Sequence, residues 1–159
     1  DMEGSRGLGD VYKRQIESWD CSNIEFSGIG FGSADYCAST GGDMGKASLA
    51  YGRGKIINAA ALYNTLALDG VWLDFRDPDG CREETLYVKT MGFKGRFAIH
   101  PDQIKPIHDA YRPTTEELEW AKGVLEEAKT AGSGAFKYQG KMVDAPVLAV
   151  ARLIISRED

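Results

Sequence analysis

The chain has 159 residues, of which 43% are hydrophobic and 27% are charged, proportions that are typical of a globular domain with its own core. A net charge of −5, with no stripe of lysine and arginine, excludes the basic surface by which proteins bind nucleic acid. No apolar stretch approaches the ~20 residues needed to cross a bilayer, so we expect a soluble protein without a membrane partner.

The first fifteen residues differ in texture from the rest of the chain. They show neither a helical nor a strand period, and they lack the apolar region of a signal peptide. Residues 9–15 resemble a translated junction or adaptor. We therefore treat residues 1–15 as a segment that does not match the rest of the chain and whose native origin is in question.

Three short segments rich in apolar residues predict buried strands, at residues 24–31, 66–75 and 96–100. Helical patterns follow at residues 46–65, 81–91 and 102–111, and a loop of small residues is predicted at 39–45. Strands that are apolar on both faces and alternate with helices are typical of βαβ units. The fold class is therefore α/β, with a parallel sheet or barrel.

The last part of the chain has a different pattern. Thr114 stands three residues before Glu117, which is the signature of a capping box at the start of a helix. Residues 135–142 predict a small hairpin, and a last helix is expected to begin at Asp144. The chain thus divides into a barrel-like domain and a C-terminal extension, at residues 16–112 and 113–159.

The cysteine pattern argues against a structural metal site. Cys21, Cys37 and Cys81 are odd in number, show no Cys-x-x-Cys spacing, and lie too far apart in sequence for a zinc knuckle. We interpret them as reduced thiols of a cytoplasmic protein.

One acidic residue lies at a position where enzymes with a barrel fold have their active sites. Asp35 follows the glycine-rich end of the first strand and is therefore expected at the carboxyl edge of the predicted sheet. From the residues alone, this carboxylate is either a metal ligand or the cap of a helix or turn. The preceding glycines fail the spacing of a dinucleotide fingerprint, which excludes that class of site.

Other polar residues have a structural interpretation that is at least as good as a functional one. His100 lies at the end of the third predicted strand. Its imidazole is either a general base or a packed, hydrogen-bonded side chain at the strand end. Asp74 and Asp77 follow the second strand and are favoured as turn residues. Arg53 and Lys55 could meet phosphate groups, but solvated surface charge is favoured.

Three motifs follow one another along the chain: Phe-Gly-Ser-Ala-Asp at residues 31–35, Gly-Phe-Lys-Gly-Arg-Phe-Ala-Ile-His-Pro-Asp-Gln-Ile at 92–104, and Gly-Lys-Met-Val-Asp-Ala-Pro at 140–146. In this order they resemble the citrate lyase β-subunit and malyl-CoA lyase family of HpcH/HpaI aldolase type. The resemblance covers residues 24–157 and implies a (β/α)₈ TIM barrel with a helical C-terminal extension. Because such barrels need ~250 residues, we interpret the chain as about strands six to eight plus the extension, without the earlier strands.

The resemblance also implies an activity. It is Mg²⁺-dependent cleavage of a carbon–carbon bond in a β-hydroxyacyl-CoA thioester of citryl-CoA or malyl-CoA type, giving acetyl-CoA and an oxo acid by retro-Claisen chemistry. The alternatives are a CoA-thioester hydrolase, a pyruvate-type aldolase of the same fold, and an inactive fragment that acts only as an assembly module.

Two residues match positions that carry the family's chemistry, and a third, in the non-matching segment, is a candidate for a further one. Asp35 matches a Mg²⁺ ligand, and Glu3, 32 positions earlier and near the ~31 residues of one βα unit, is the candidate second ligand. Asp144 matches a catalytic aspartate that acts in a neighbouring subunit as general acid and base at the acetyl α-carbon. Helix capping alone would also explain Asp144. The implied assembly is a homo-oligomer, a trimer or a hexamer.

Overall fold

A computed structural model describes residues 27–132 and 134–158 of the chain. These residues form two units, of which the first ends at Tyr111 and the second begins at Arg112. The segment 1–15 with Glu3, the thiol of Cys21 and the first residues of the predicted strand 24–31 lie outside the described residues. None of the helices in the described part of the chain is long and apolar enough to cross a membrane.

Three short parallel strands form the sheet of the first unit. Strand β1 (Gly28–Gly30) pairs with β2 (Leu66–Asp69), and β2 pairs in turn with β3 (Gly95–Arg96). The order of the strands in the sheet is the same as their order in the chain. Parallel neighbours need a crossover between them, and helices provide each one.

The helices of the first unit follow the strands in alternation. Helices α1 (Ser33–Thr40) and α2 (Lys46–Leu62) connect β1 to β2, and α3 (Pro78–Met91) connects β2 to β3. After β3, a 3₁₀ turn (Pro101–Gln103) leads into α4 (Ile104–Tyr111). The predicted alternation of parallel strands and helices is therefore confirmed.

The predicted loop at 39–45 is wrong at its start, because Ser39 and Thr40 belong to α1. Their hydroxyl groups donate to the carbonyl oxygen of Tyr36 at 2.9 and 2.8 Å, which supports the last turn of the helix. Gly41 then ends α1 in the left-handed region, at φ 73°. The helix was not recognised in the sequence because its small residues show no helical spacing of apolar side chains.

Two predicted strands are longer than the observed ones. β2 ends at Asp69, where Gly70 packs against the start of α1, so the mostly apolar residues 71–75 lie in a loop. β3 ends at Arg96, and the backbone N–H of Ile99 donates to Gln103 Oε1 at 2.9 Å instead of to a neighbouring strand. Apolar composition alone did not distinguish these loop residues from paired strand residues.

The core of the first unit consists of small and large apolar side chains from the sheet, its helices and the adjoining turns. Its buried members include Ile29, Phe31, Leu49, Ala59, Ala60, Ala67, Val88 and Phe93. Each large side chain removed from water contributes about 1.5–3 kcal/mol to the stability of this unit. This core holds the carboxyl edge of the sheet, where the candidate site residues lie.

The second unit is a helix, a hairpin and a helix. Helix α5 (Thr115–Ala131) begins at the predicted capping box, in which Thr114 Oγ1 accepts from the Glu117 N–H at 3.1 Å and Glu117 Oε2 accepts from the Thr114 N–H at 2.9 Å. The capping box is therefore confirmed.

The hairpin of the second unit pairs β4 (Phe136–Tyr138) with β5 (Lys141–Val143) in antiparallel register. Its turn, Gln139 and Gly140, has positive φ at both residues, as a two-residue hairpin with the native twist requires. Helix α6 (Ala145–Ile155) follows, and it packs with α5 on a small core. The buried members of that core are Ala121, Val124, Val143 and Ala151.

Candidate functional site

Asp35 lies at the carboxyl edge of the sheet, in the first turn of α1. The β1–β2 ladder extends to Phe31, whose N–H donates to the Leu68 carbonyl oxygen at 2.9 Å, and Gly32 then starts the helix. The Asp35 side chain is exposed and leans over Gly32. A carboxylate is electrostatically favoured in this first turn, and it is also free to meet a ligand from solvent.

The described residues do not assemble a complete metal site around Asp35. Within 27–132 and 134–158, no three side chains of His, Cys, Asp and Glu come together in a group that could hold a metal ion. Glu3 lies outside the described residues, so its role as the second ligand stays a prediction. Asp35 nevertheless fits Mg²⁺ in kind, because it is an accessible carboxylate oxygen donor.

Asp144 caps helix α6 in the second unit. Its Oδ1 accepts a hydrogen bond from the Val147 N–H at 3.3 Å, and Pro146 occupies the first turn of the helix. The capping role is therefore confirmed. A carboxylate has further acceptor sites beyond the one used here, so the cap does not preclude a proton-transfer role, which stays a prediction.

A buried ion pair behind the sheet edge was not anticipated. Arg53, on α2, is 1% exposed and binds the fully buried Asp69 with two parallel hydrogen bonds, Nε to Oδ1 and Nη2 to Oδ2, each 3.1 Å long. The prediction that Arg53 is a solvated charge is therefore wrong. Burial is possible because the two parallel hydrogen bonds pair the guanidinium and carboxylate charges with each other. Lys55 is half-buried, with its ammonium nitrogen 5.2 Å from the centre of the Tyr51 ring.

A second arginine and a second acid extend this pair into a network. Arg96, at the end of β3, donates from Nη2 to Asp69 Oδ2 at 2.6 Å and from Nη1 to Thr85 Oγ1 at 3.2 Å. Glu84, on α3, contacts Arg53 Nη2 at 2.8 Å. We call Arg53, Asp69, Glu84 and Arg96 the buried ion network. It joins two helices and two strands at the edge of the sheet that carries Asp35.

A cavity of about 270 Å³ lies beside the buried ion network. Its walls come from α2, α3 and the loop that follows β2, and they include Leu49, Arg53, Val71, Trp72 and Glu84. Two buried donors, Arg53 Nη1 and Trp72 Nε1, have no hydrogen-bond partner among the described residues. The cavity is mostly apolar, with these polar groups in its walls.

The remaining sequence candidates have structural roles. Asp77 caps α3 by accepting from the Gly80 N–H at 2.9 Å, and Asp74 accepts from the Arg76 N–H at 3.0 Å, so the turn interpretation is confirmed for both. His100 Nδ1 accepts from the backbone N–H of Asp102 at 3.2 Å. Its ring also stacks on a neighbouring phenylalanine, with 4.7 Å between ring centres. The prediction that His100 ends the third strand is wrong, because β3 ends at Arg96 and His100 instead caps the 3₁₀ turn that follows.

The two described cysteines are buried free thiols. Removal from solvent raises the pKa of Cys81, so this thiol is protonated and poorly nucleophilic near neutral pH. Cys37 donates from its sulfur to the carbonyl oxygen of Asp43 at 2.8 Å. Both observations agree with cysteines that pack in a core and take no part in chemistry.

The buried ion network had only a faint sequence signal. Asp69 closes an otherwise apolar strand, Leu-Ala-Leu-Asp, and an isolated acid in such a place needs a cationic partner. Arg53 lies in the middle of α2, but 16 positions separate the two residues. Spacing alone could not pair them.

Known proteins resemble this chain in both sequence and structure. The family described as C-C_Bond_Lyase of the TIM-Barrel fold matches residues 54–158. The mitochondrial citramalyl-CoA lyase of Rattus norvegicus is 37% identical over 131 residues, which cover 79% of this chain and 39% of that protein. The citrate lyase subunit beta of Escherichia coli K12 is 35% identical over 137 residues, covering 83% of this chain and 45% of that protein.

A solved structure gives the same result. The crystal structure of CitE from Mycobacterium tuberculosis in complex with magnesium, acetoacetate and coenzyme A has a TM-score of 0.72 and 35% sequence identity. The match covers 83% of this chain and 52% of that one, so the chain spans about half the length of the relatives it matches.

These likenesses confirm the predicted fold class, in which the parallel strands and their helices are part of a TIM barrel. They also agree with the three motifs that pointed to citrate lyase β subunits. We conclude that the chain belongs to the carbon–carbon bond lyase family of the TIM-barrel fold, together with the citrate lyase β subunits.

Proposed function

We propose that the chain acts in a Mg²⁺-dependent carbon–carbon lyase that cleaves a β-hydroxyacyl-CoA thioester to acetyl-CoA and an oxo acid. The observation that carries the proposal is the accessible carboxylate of Asp35 at the carboxyl edge of the sheet in a member of this family. The relatives support it, because one is named a citramalyl-CoA lyase and another was crystallised with magnesium and coenzyme A.

In this proposal Asp35 supplies one carboxylate ligand to Mg²⁺ and Glu3 supplies another. The ion, when bound, provides a Lewis acid for the oxygen atoms of the oxo-acid half of the substrate. The position of Asp35 suits the role, because the backbone of α1 holds its Cα at the strand end while its carboxylate stays in solvent.

The proposed partner of Asp35 in catalysis is Asp144 of a neighbouring subunit. On cleavage the hydroxyl group of the substrate loses its proton to solvent and becomes the carbonyl group of the oxo acid. The electron pair of the broken carbon–carbon bond stays on the acetyl α-carbon as an enolate, which must gain a proton. Asp144 would donate that proton, and in the reverse direction its carboxylate would remove one. This arrangement requires a homo-oligomer, for which we propose a trimer or a hexamer, and we propose the cytoplasm as its location.

An assay of products tests the reaction class. The protein is incubated with citryl-CoA, malyl-CoA and citramalyl-CoA at saturating Mg²⁺, and the products are separated by chromatography. We expect acetyl-CoA and an oxo acid from at least one thioester, and no turnover after chelation of the metal.

Other products would identify the alternatives. Free CoA with an intact hydroxy acid would show a thioester hydrolase. Cleavage of a free hydroxy-oxo acid to pyruvate, without use of any thioester, would show an aldolase. A chain that binds a full-length relative and turns over none of these compounds would be an assembly module, and the lyase proposal would be wrong.

A further inference from the structure

Gly70 connects the buried ion network to the turn that carries Asp35. Arg96 Nε donates to the carbonyl oxygen of Gly70 at 3.0 Å, while Nη2 of the same side chain binds Asp69. The Arg96 side chain is only 1% exposed. Its guanidinium group therefore fixes the backbone at the point where the chain leaves β2.

Gly70 in turn packs against the start of α1. A Cβ atom at Gly70 would overlap Ser33 Oγ and would lie 2.9 Å from the carbonyl oxygen of Phe31, so only glycine allows this approach. Ser33 is 3% exposed and stands two positions before Asp35, in the same helical turn. A displacement of Gly70 would thus be transmitted to the backbone that holds Asp35.

Each nitrogen of the Arg96 guanidinium group has a hydrogen-bond partner, and the three partners lie on two parts of the fold. They are Asp69 and Gly70 at the end of β2 and Thr85 on α3. A planar group held at three points cannot rotate or slide without breaking a hydrogen bond. Lysine at this position would keep a positive charge beside Asp69 but would lose the fork of donors.

We propose that Arg96, acting through Gly70, is a positioning residue for the metal-binding turn of α1. Its function is to set the place of Asp35, and it touches neither metal nor substrate. The proposal rests on the proposed function for the statement that Asp35 binds Mg²⁺. The mechanical link from Arg96 to α1 depends on the geometry alone.

Two pairs of variants test the proposal. In the first pair, Arg96→Lys removes the hydrogen bond to Gly70, whereas the matched control Arg53→Lys alters the same buried ion network at Asp69 and Glu84. In the second pair, Gly70→Ala presses on Ser33, whereas the control Gly54→Ala adds a methyl group that meets no atom within 4 Å.

The first readout is amide hydrogen exchange, which does not depend on metal. The Tyr36 N–H donates to the Gly32 carbonyl oxygen in the first turn of α1, and the Lys94 N–H donates to the Ala67 carbonyl oxygen in the sheet. We expect Arg96→Lys and Gly70→Ala to raise the exchange rate of the Tyr36 amide relative to that of Lys94. The two control variants should leave this ratio unchanged, even where they lower overall stability.

The second readout is Mg²⁺ affinity by calorimetry. We expect Arg96→Lys and Gly70→Ala to weaken it by roughly threefold to tenfold, somewhat less than the loss of a direct supporting partner of a metal ligand. The controls should bind as the parent does. Equal effects of Arg96→Lys and Arg53→Lys on both readouts would show that the buried ion network contributes only to overall stability. That result would overturn the proposal.

The two readouts separate this proposal from the proposed function. If Tyr36 exchange rises selectively while the parent protein binds no Mg²⁺, the positioning link holds and the assigned ligand is wrong. If Mg²⁺ binds to the parent and the Tyr36 exchange ratio does not respond to Arg96→Lys or Gly70→Ala, the positioning link is wrong and the metal site stands.

Discussion

The two units hold their key acidic residues in opposite ways. In the first unit, Asp69 is fully buried and depends on Arg53 and Arg96, which lie 16 and 27 positions away in the chain. In the second unit, Asp144 is half-buried and its hydrogen bond reaches only three residues along the same helix. An acid of the first kind is an integral part of the tertiary structure, whereas one of the second kind can be changed with only a local cost.

The largest effect is expected from Asp69→Ala. This change leaves two buried guanidinium groups without their common partner, and breaking a buried ion pair in this way costs about 3–5 kcal/mol. The free energy of unfolding from urea titration measures the loss. Glu83→Ala is the matched control, because the Glu83 side chain is 78% exposed and its surface pair with Lys46 contributes at most about 1 kcal/mol. A loss below 1 kcal/mol for Asp69→Ala would contradict the network.

A smaller loss of stability is expected at Asp144, where two substitutions separate the cap from the chemistry. Asp144→Ala removes the acceptor for the Val147 N–H and should cost about 1 kcal/mol. Asp144→Asn keeps an acceptor that caps helices equally well, so stability should be unchanged. Neither the amide of Asp144→Asn nor the methyl group of Asp144→Ala can donate or accept the proton. Turnover should therefore fall by about 10²–10⁴-fold in both variants. Full activity of Asp144→Asn would leave only the capping role.

The contrast between the units also explains what could be predicted from sequence. The capping box of Thr114 and Glu117 and the hairpin turn of the second unit were predictable, because each is complete within a few consecutive residues. The alternation of strands and helices followed from apolar patterns of similar length. The motif that ends at Asp35 indicated the sheet edge, and the structure places it there.

The remaining features needed tertiary structure. Arg53 reads as a surface charge when only its helix is considered, and its burial follows from Asp69 on another element. The loop after β2 reads as strand because its residues are apolar, yet Gly70 has already turned the chain against α1. Such cases depend on contacts between elements, and one sequence does not encode them as a local pattern.

The most direct test of the account is a calorimetric titration of Mg²⁺ into the protein and into its Asp35→Asn variant. Asp79→Asn is the matched control, since Asp79 is also an exposed acid in the first turn of a helix. We predict that the parent and Asp79→Asn bind the ion alike and that Asp35→Asn loses binding. Unchanged Mg²⁺ affinity in Asp35→Asn would contradict the assignment of the metal to the end of β1, and with it the proposed site.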